Sequence, residues 1–398
     1  MAQTYLDLYK IGLSINDRNF EIDPSYFSFS MRDNIFNLFN TATLSFKDKT
    51  GLFQEFFDTS EGAKVKLEFG DEDVINTCIY VNKYDKLDIT EKIGYLTGEV
   101  DFNLINFWYN SQYKISRAHN KRISNIIRDF AGQYQFKSKD IDDTGNQRTW
   151  YQPYMTNAKF ITDMLLPNCF SRNADQTPFF AFITNDNVFH FRNYKSMTDE
   201  ELIGTVDFKI NIDKISRGED SFQNKTSSLK RIHQNSDKHF YLRHRNLFRI
   251  DKEDGTIKDE EDHITDHPTQ NNLKIPILND EGNTIDFKLV GFTKDETGEK
   301  ENQFGRIFYD HRDSLFLDQF IFIQPFNPKF QAGKNIQLNV YTTQNEGSKL
   351  SKRFSSRYLI IDCEHIWDSE TQKGYTKVII AKKYVQVPES YLLKPDLL

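Results

Sequence analysis

Cysteine is scarce: the 398 residues contain three, Cys78, Cys169 and Cys363, far apart and odd in number. That pattern excludes a disulfide framework and fits buried thiols in a reducing compartment. Long apolar runs are missing as well. No stretch approaches the roughly 18 apolar residues that a membrane-spanning helix needs. The opening MAQTYLDLYK has an acidic residue and none of the apolar core of a secretory signal, so neither a leader nor a direct membrane anchor is expected. Positive charge is not in excess. Lys and Arg number 51 against 58 Asp and Glu, a net of −7, which argues against a dedicated nucleic-acid binder.

Motifs that carry chemistry are also lacking. The sequence has no phosphate-cradling G-x-x-x-x-G-K-[ST], no G-x-G-x-x-G after a strand, no H-E-x-x-H, no G-x-S-x-G and no C-x-x-C. The nearest approach to a metal cluster is DEEDHITDH at 259–267, which offers Asp262, His263, Asp266 and His267. On a helix, histidines four apart would share a face. Gly255 and Thr256 before the segment and Pro268 after it argue against a helix, and 251–266 holds eight acidic and two basic side chains. A solvated acidic loop is the expectation. Just upstream, 229–249 carries Lys230, Arg231, Lys238, Arg243, Arg245 and Arg249 against the single acid Asp237, with Phe240, Tyr241 and Phe248 interleaved. That mixture could serve single-stranded nucleic acid. It is also what a strand with one buried aromatic face displays, and the acidic neighbour would repel a phosphate backbone. No acid sits in a plainly apolar setting of the kind that makes a general acid in glycoside hydrolysis. No catalytic, metal-binding or cofactor-binding residue and no cofactor is therefore expected.

What the chain does have is rings. Aromatics make up 14% of it, with 35 Phe and 19 Tyr, and rings suit half-buried pleated surfaces. Its length implies two to four packed units. Residues 4–102 alternate with period close to two in TYLDLYKIGLSI, YFSFSMRD, TATLSFKD, KVKLEFG, CIYVNKYDKL and GYLTGEVDF, with turn residues between them. The period then changes. In NKRISNIIRDFAG, Ile123, Ile126, Ile127, Phe130 and Ala131 form a helical stripe, with Gly132 expected as the C′ stop. A second helix is expected over TNAKFITDMLLP, capped by Thr156 or Asn157 and ended by Pro167. PFFAFITNDNVFHFRNY (178–194) reads as a hairpin with His190 on its surface. Residues 205–250 hold further strands, 251–304 read as polar loop with one hairpin, and FLDQFIFIQPF, AGKNIQLNVYTT, RYLIIDCEHIWD and GYTKVIIAKKYV return to β. Cys363 alternates with Ile361, so a buried, unpaired thiol is expected there.

Three segments give this order a family likeness: FSFSMRDNIFN…TATLSFKDKTG with Met31-Arg32-Asp33 near the start; NKRISNIIRDFAG…TNAKFITDML…PFFAFITNDNVFHF in the middle; and Ala332-Gly333-Lys334-Asn335-Ile336, RYLIIDCEHIWD and YTKVIIAKKY at the end. The chain resembles the baseplate hub family of phage tails, shared with contractile injection systems and late-control proteins. The family pattern has a Pro-Gly-Asp-x-Ile turn, then a tyrosine strand with a histidine and a threonine-rich closing strand. Here Ala332 stands for Pro and Lys334 for Asp, while His365 falls where the pattern places its histidine.

The resemblance implies a β-rich α+β fold, with two small β-barrel tube-like domains and an inserted α/β unit. The boundaries would be 1–103 for the first barrel, 104–204 for the insertion, and 205–250 with 305–386 for the second barrel. Residues 251–304 would be a polar loop/hairpin insertion that matches nothing in the family, and 387–398 a C-terminal tail. It further implies a non-enzymatic virion protein of the tail baseplate, assembled in the host cytoplasm. Its partners would be itself as a homotrimer, the tail tube protein, the central spike and the baseplate wedge, with DNA only as cargo in the lumen. Two barrels per chain in a ring of three would match a hexameric tube. A hub-like head of a tail-tip lysin or receptor-binding assembly of a non-contractile tail is the alternative, and an enzyme acting on cell-wall glycans a third reading.

Overall fold

The computed structural model describes residues 10–20, 27–48, 64–70, 75–82, 98–145, 147–169, 178–210, 222–223, 229–233, 245–250, 257–261, 287–290, 316, 318–344, 347–351 and 354–382. The alternating segments near the start are strands: β1 (Lys10–Ile15), β2 (Arg18–Phe20), β3 (Phe27–Asn34), β4 (Thr41–Asp48), β5 (Lys64–Gly70), β6 (Ile75–Asn82) and β7 (Gly98–Asn106). Their period of two puts one row of side chains inward, as in β3, where Phe27, Phe29 and Met31 are buried. With Leu44, Val65, Leu67, Phe69 and Phe102 they make one apolar cluster.

The next unit holds β8 (Ile115–Arg122), α1 (Ile123–Gly132), β9 (Ser138–Ile141), β10 (Gln147–Met155), α2 (Asn157–Phe160), β11 (Phe179–Ile183), β12 (Val188–Asn193) and α3 (Tyr194–Asp199). The α1 stripe packs Ile123, Ile127 and Phe130 with Ile161 and Leu165 against Phe179, Phe189 and Phe191 of the hairpin. Three details differ from expectation. Gly132 is the last helical residue, and Gln133 rather than Gly132 is the C-cap. The second helix keeps a single α turn, capped by the Thr156 hydroxyl accepting from Lys159 N at 3.2 Å. It then widens to a π turn over Ile161–Leu165 and tightens to a 3₁₀ turn over Leu166–Asn168. The short α3 had no apolar stripe to announce it.

The remaining strands are β13 (Leu202–Ile210), β14 (Phe222–Gln223), β15 (Lys230–His233), β16 (Arg245–Ile250), β17 (Ile257–Glu261), β18 (Phe287–Val290), β19 (Asp318–Pro325), β20 (Asn335–Gln344), β21 (Gly347–Leu350), β22 (Ser356–Asp368) and β23 (Lys373–Lys382). Val206, Phe320, Phe322, Ile336, Leu338, Tyr358, Ile360, Val378 and Ile380 form a second apolar cluster. The first and last groups of strands join in one sheet among the described residues, in the order β14-β13-β20-β22-β3-β4-β7-β6-β5-β1-β2, with β23 and β19 continuing from β22. The seam is the antiparallel pair β22–β3, from Asp362↔Asn34 to Trp367↔Phe29. The protein is thus strand-rich with few helices, and among the described residues the pairing traces no closed barrel.

Two corrections concern the charged stretches. Residues 257–261, expected within a solvated loop, form β17, antiparallel to β16 (Phe248↔Asp259, Leu247↔Glu260), with β18 parallel on the other side of β16. This small sheet stands apart from the main one, so 245–250 does not continue the second group of strands as its boundary supposed. The basic and acidic stretches meet within one chain. Each was expected to face the opposite charge on a neighbouring subunit or a wedge protein.

Ile127 is fully buried between α1 and the hairpin. Ile127→Asp would strand a carboxylate there and should cost about 4 kcal/mol or more. The shift of the urea unfolding midpoint measures it, and a midpoint within 0.5 kcal/mol of wild type would contradict this packing.

Candidate functional site

Sequence parity on β3 decides the central feature. Asp33 follows Phe27, Phe29 and Met31 on the inward row, so its carboxyl is driven into the interior, where it is fully buried. One oxygen accepts from Asn185 N at 2.9 Å, in the hairpin turn of the inserted unit. The other accepts from Ala332 N at 3.0 Å, in the turn before β20. Burial pushes the Asp33 carboxyl up to about 8 despite those two donors, with Asp186 and Asp362 adding to the rise. The expectation that no acid occupies such a setting is overturned: the parity was visible, but the partners 152 and 299 residues away were not.

Around it, Asn185 Nδ2 donates to Met31 O at 3.4 Å, and Asn106 Nδ2 donates to Asn40 Oδ1 at 2.8 Å. The outward row of β3 makes a second set. Arg32 donates a forked pair of bonds to Asp362, Asn34 Nδ2 donates to the same carboxylate at 2.6 Å, and Ser30 Oγ donates to Glu364 at 2.6 Å. Burial opposes ionisation of Glu364, but the Ser30 and Lys377 bonds hold it below the usual carboxylate range. The Asp362 hydrogen bond raises the Arg32 guanidinium further.

A bulge makes this alignment possible. The pairing of β22 with β23 shifts between Ile360 and Asp362, so Ile361 is an extra residue. Ile361 and Leu359 face Ile35, Phe180 and Phe182, while Cys363 packs with Tyr358 and Ile360. Cys363 is a buried free thiol as expected, but it does not share a face with Ile361; the extra residue reverses the alternation. His365, next on that row, is fully buried between the rings of Phe69 and Phe326, 5.4 and 5.3 Å away. The Phe330 carbonyl, 3.1 Å from Nε2, can only accept, so Nε2 carries the proton. Nδ1 then accepts from the Thr376 hydroxyl at 3.1 Å, and that hydroxyl oxygen accepts from Asn327 N at 2.9 Å. Burial takes the imidazole down to about 4 and raises the Cys363 thiol well above its ordinary value. Although their side chains lie 3.7 Å apart, a thiol held protonated away from solvent is a poor nucleophile.

His190, expected on the hairpin surface, is buried instead. It stacks on Phe182 with centroids 4.8 Å apart, and its Nδ1 lies 3.5 Å from Asp140. Beside it Arg192 bonds Asp140, Asp142 and Glu200, and Lys334 reaches Glu200 at 3.2 Å. Lys334 therefore departs from the family's aspartate to meet an acid. Gly333 has φ of +84°, and a Cβ there would come within 2.7 Å of Phe182 Cζ, so a side chain is excluded twice over. These groups close on a cavity of about 180 Å³. A wider groove of about 800 Å³, open to solvent, crosses the outward faces of β3, β4, β7 and β22 over Ser28, Ser30, Thr43, Ser45 and Asp101, and contains neither Asp33 nor His365. Asp262, His263, Asp266 and His267 lie outside the described residues, as do Phe240 and Tyr241. Among the described residues no group of three His, Cys, Asp or Glu could hold a metal.

The buried polar groups thus join three sequence-distant units into one body. No protein-family model matches the sequence, and no curated protein does. Solved structures do match. A tail protein of Neisseria meningitidis superposes with a TM-score of 0.56 at 8% identity, over 96% of this chain and 98% of that one. This chain has the fold of a phage tail protein. The 43 kDa tail protein of prophage MuSo2 from Shewanella oneidensis gives 0.55 at 8% identity, over 94% and 98%. A chain of the Francisella PdpA–VgrG complex gives 0.52 at 10% identity, over 96% of this chain and 59% of that one. The tail-protein fold spans the whole order of elements, inserted unit included. The segments that carried the resemblance, Met31-Arg32-Asp33, Ala332-Gly333-Lys334 and His365 with Thr376, are those that converge on the junction.

Two measurements follow. Asp33 binds a proton in the fold between pH about 4 and 8 that the unfolded chain has released, so it contributes a loss of stability as pH rises through that window, at most about 1.4 kcal/mol per unit. The stability of wild type minus that of Asp33→Asn, from urea unfolding, should fall from pH 4.5 to 8.5; a flat difference would exclude Asp33 as the source. His365 has the opposite sign, because the unfolded chain takes up the proton first as pH falls below about 6.5. Its imidazole NMR signal should stay neutral down to pH 5, and a midpoint above 6 would show that it is not buried as described.

Proposed function

We propose that the chain is a baseplate hub subunit, a virion structural protein that closes into a homotrimeric ring between a hexameric tail tube and a central spike. The observation that carries this is coverage: the chain spans 98% of each of two tail proteins with its own order of elements intact. The paired apolar clusters on either side of the β22–β3 seam support two tube-like barrel domains, 1–103 and 205–250 with 305–386, with 104–204 as the inserted unit. In this role the chain works without catalysis or cofactor. DNA passes through the lumen as cargo, and the tail tube, spike and wedge proteins are the partners in the virion baseplate. Residues 251–304 and 387–398 are peripheral to the ring.

A ring of this kind rests on apolar faces and strand edges, burying roughly 2,000–5,000 Å² per interface. Exposed ion pairs add little to it, the more so as the two strongly charged stretches adjoin within one chain. Multi-angle light scattering at micromolar concentration should therefore give a trimer that persists in about 0.5 M salt. A monomer at every salt concentration, or a trimer that dissociates on salt alone, would refute the apolar ring.

A further inference from the structure

The inserted unit carries a surface that the hub reading does not use. β8 and β10 form a two-stranded ribbon whose outer edges pair with no other strand among the described residues. Five of the eight large apolar side chains exposed among the described residues, Phe107, Tyr109, Tyr113, Tyr151 and Tyr154, lie in this unit, and the last three are 66–70% exposed. Tyr154 sits at φ of +41°, a conformation that bulky residues avoid. It is held there at the bulge between Gln152 and Met155 by its N–H donating to Ser116 Oγ at 3.1 Å. Lys114 Nζ lies 5.8 Å from its ring. Charge is segregated here too. Residues 102–128 and 144–162 contain seven Lys and Arg and no Asp or Glu, in a chain of net −7. Among the described residues neither Lys114 nor Arg117 forms an ion pair.

We propose that this ribbon is a docking site for an acidic, extended polypeptide segment of a partner protein, which adds as a strand to a free edge and lays its side chains against Tyr151, Tyr154 and Lys114. Unpaired backbone N–H and C=O groups supply the main-chain bonds, and the tyrosines supply rigid contact area at little entropic cost. The local positive field selects an acidic segment and speeds its encounter. A nucleic-acid strand fits less well. A phosphate backbone running past the eight-residue β8 would meet a protein that is otherwise strongly acidic, whereas a short peptide needs only the ribbon. The inference does not depend on ring closure.

The test uses the full chain and fluorescence anisotropy with four probes. They are a ten-residue peptide alternating Asp or Glu with Val or Ile, its Asn/Gln counterpart, an acidic version with two central prolines, and a ten-nucleotide oligo-dT. The acidic peptide should bind at least tenfold more tightly than the other three, with an affinity that weakens between 50 and 300 mM salt. Tyr151→Ala/Tyr154→Ala and Lys114→Glu/Arg117→Glu should each lose tenfold or more. Circular dichroism and the melting temperature should stay at wild-type values, since these side chains are exposed. Equal binding of the neutral or proline peptide, tighter binding of oligo-dT, no peptide binding, or undiminished binding by the folded variants would each overturn the proposal.

Discussion

The structure depends on one buried carboxyl being supplied with hydrogen bonds from two directions. An acid with no exposed surface is costly unless its oxygens are satisfied. Here the donors are backbone N–H groups of the hairpin turn at Asn185 and of the turn at Ala332. Neither turn can be withdrawn without leaving Asp33 short of a partner. Packing of the hairpin, entry into β20 and the end of β3 are therefore a single condition, which any sequence with this fold has to meet together.

The same strand serves on its other row. Ser30, Arg32 and Asn34 reach Glu364 and Asp362, so β3 is fastened to β22 by side chains outside and by shared cores inside. Phe69 and Phe326, one from each half, close over His365. The two halves are thus neighbours in one body, with the inserted unit fixed to both. Burial of the imidazole without charge complements burial of the acid: both groups are kept in their neutral form where ionisation would cost most.

Much of this was legible. Period-two alternation located most of the described strands before β8 to within a few residues, and the spacing of Ile123, Ile127 and Phe130 located α1. Local pattern failed where the outcome rests on distant partners. Asp33 reads as the polar end of a strand until the two turns arrive. His190 alternates with polar neighbours and yet is covered, because β9 pairs parallel to β12 and brings Asp140 beside it. The acidic run at 257–261 has no apolar row to mark it as a strand, and its pairing with β16 comes from the register alone. The bulge in β22 left no trace in residue type, since Ile361 is an ordinary strand residue. Met31-Arg32-Asp33 and Gly333 were singled out by resemblance, and their chemistry became apparent only once they met.

The extra residue at Ile361 also sets what kinds of genetic change this fold can absorb. A substitution there alters one contact. Deletion of one residue between Leu359 and Asp362 would instead throw the distal half of β22 out of phase, turning Cys363, His365 and Trp367 toward the outside and Glu364 inward in one step. Length variation in this protein should therefore be confined to loops such as 369–372. β22 behaves as a ruler whose count, more than its composition, has to be inherited unchanged.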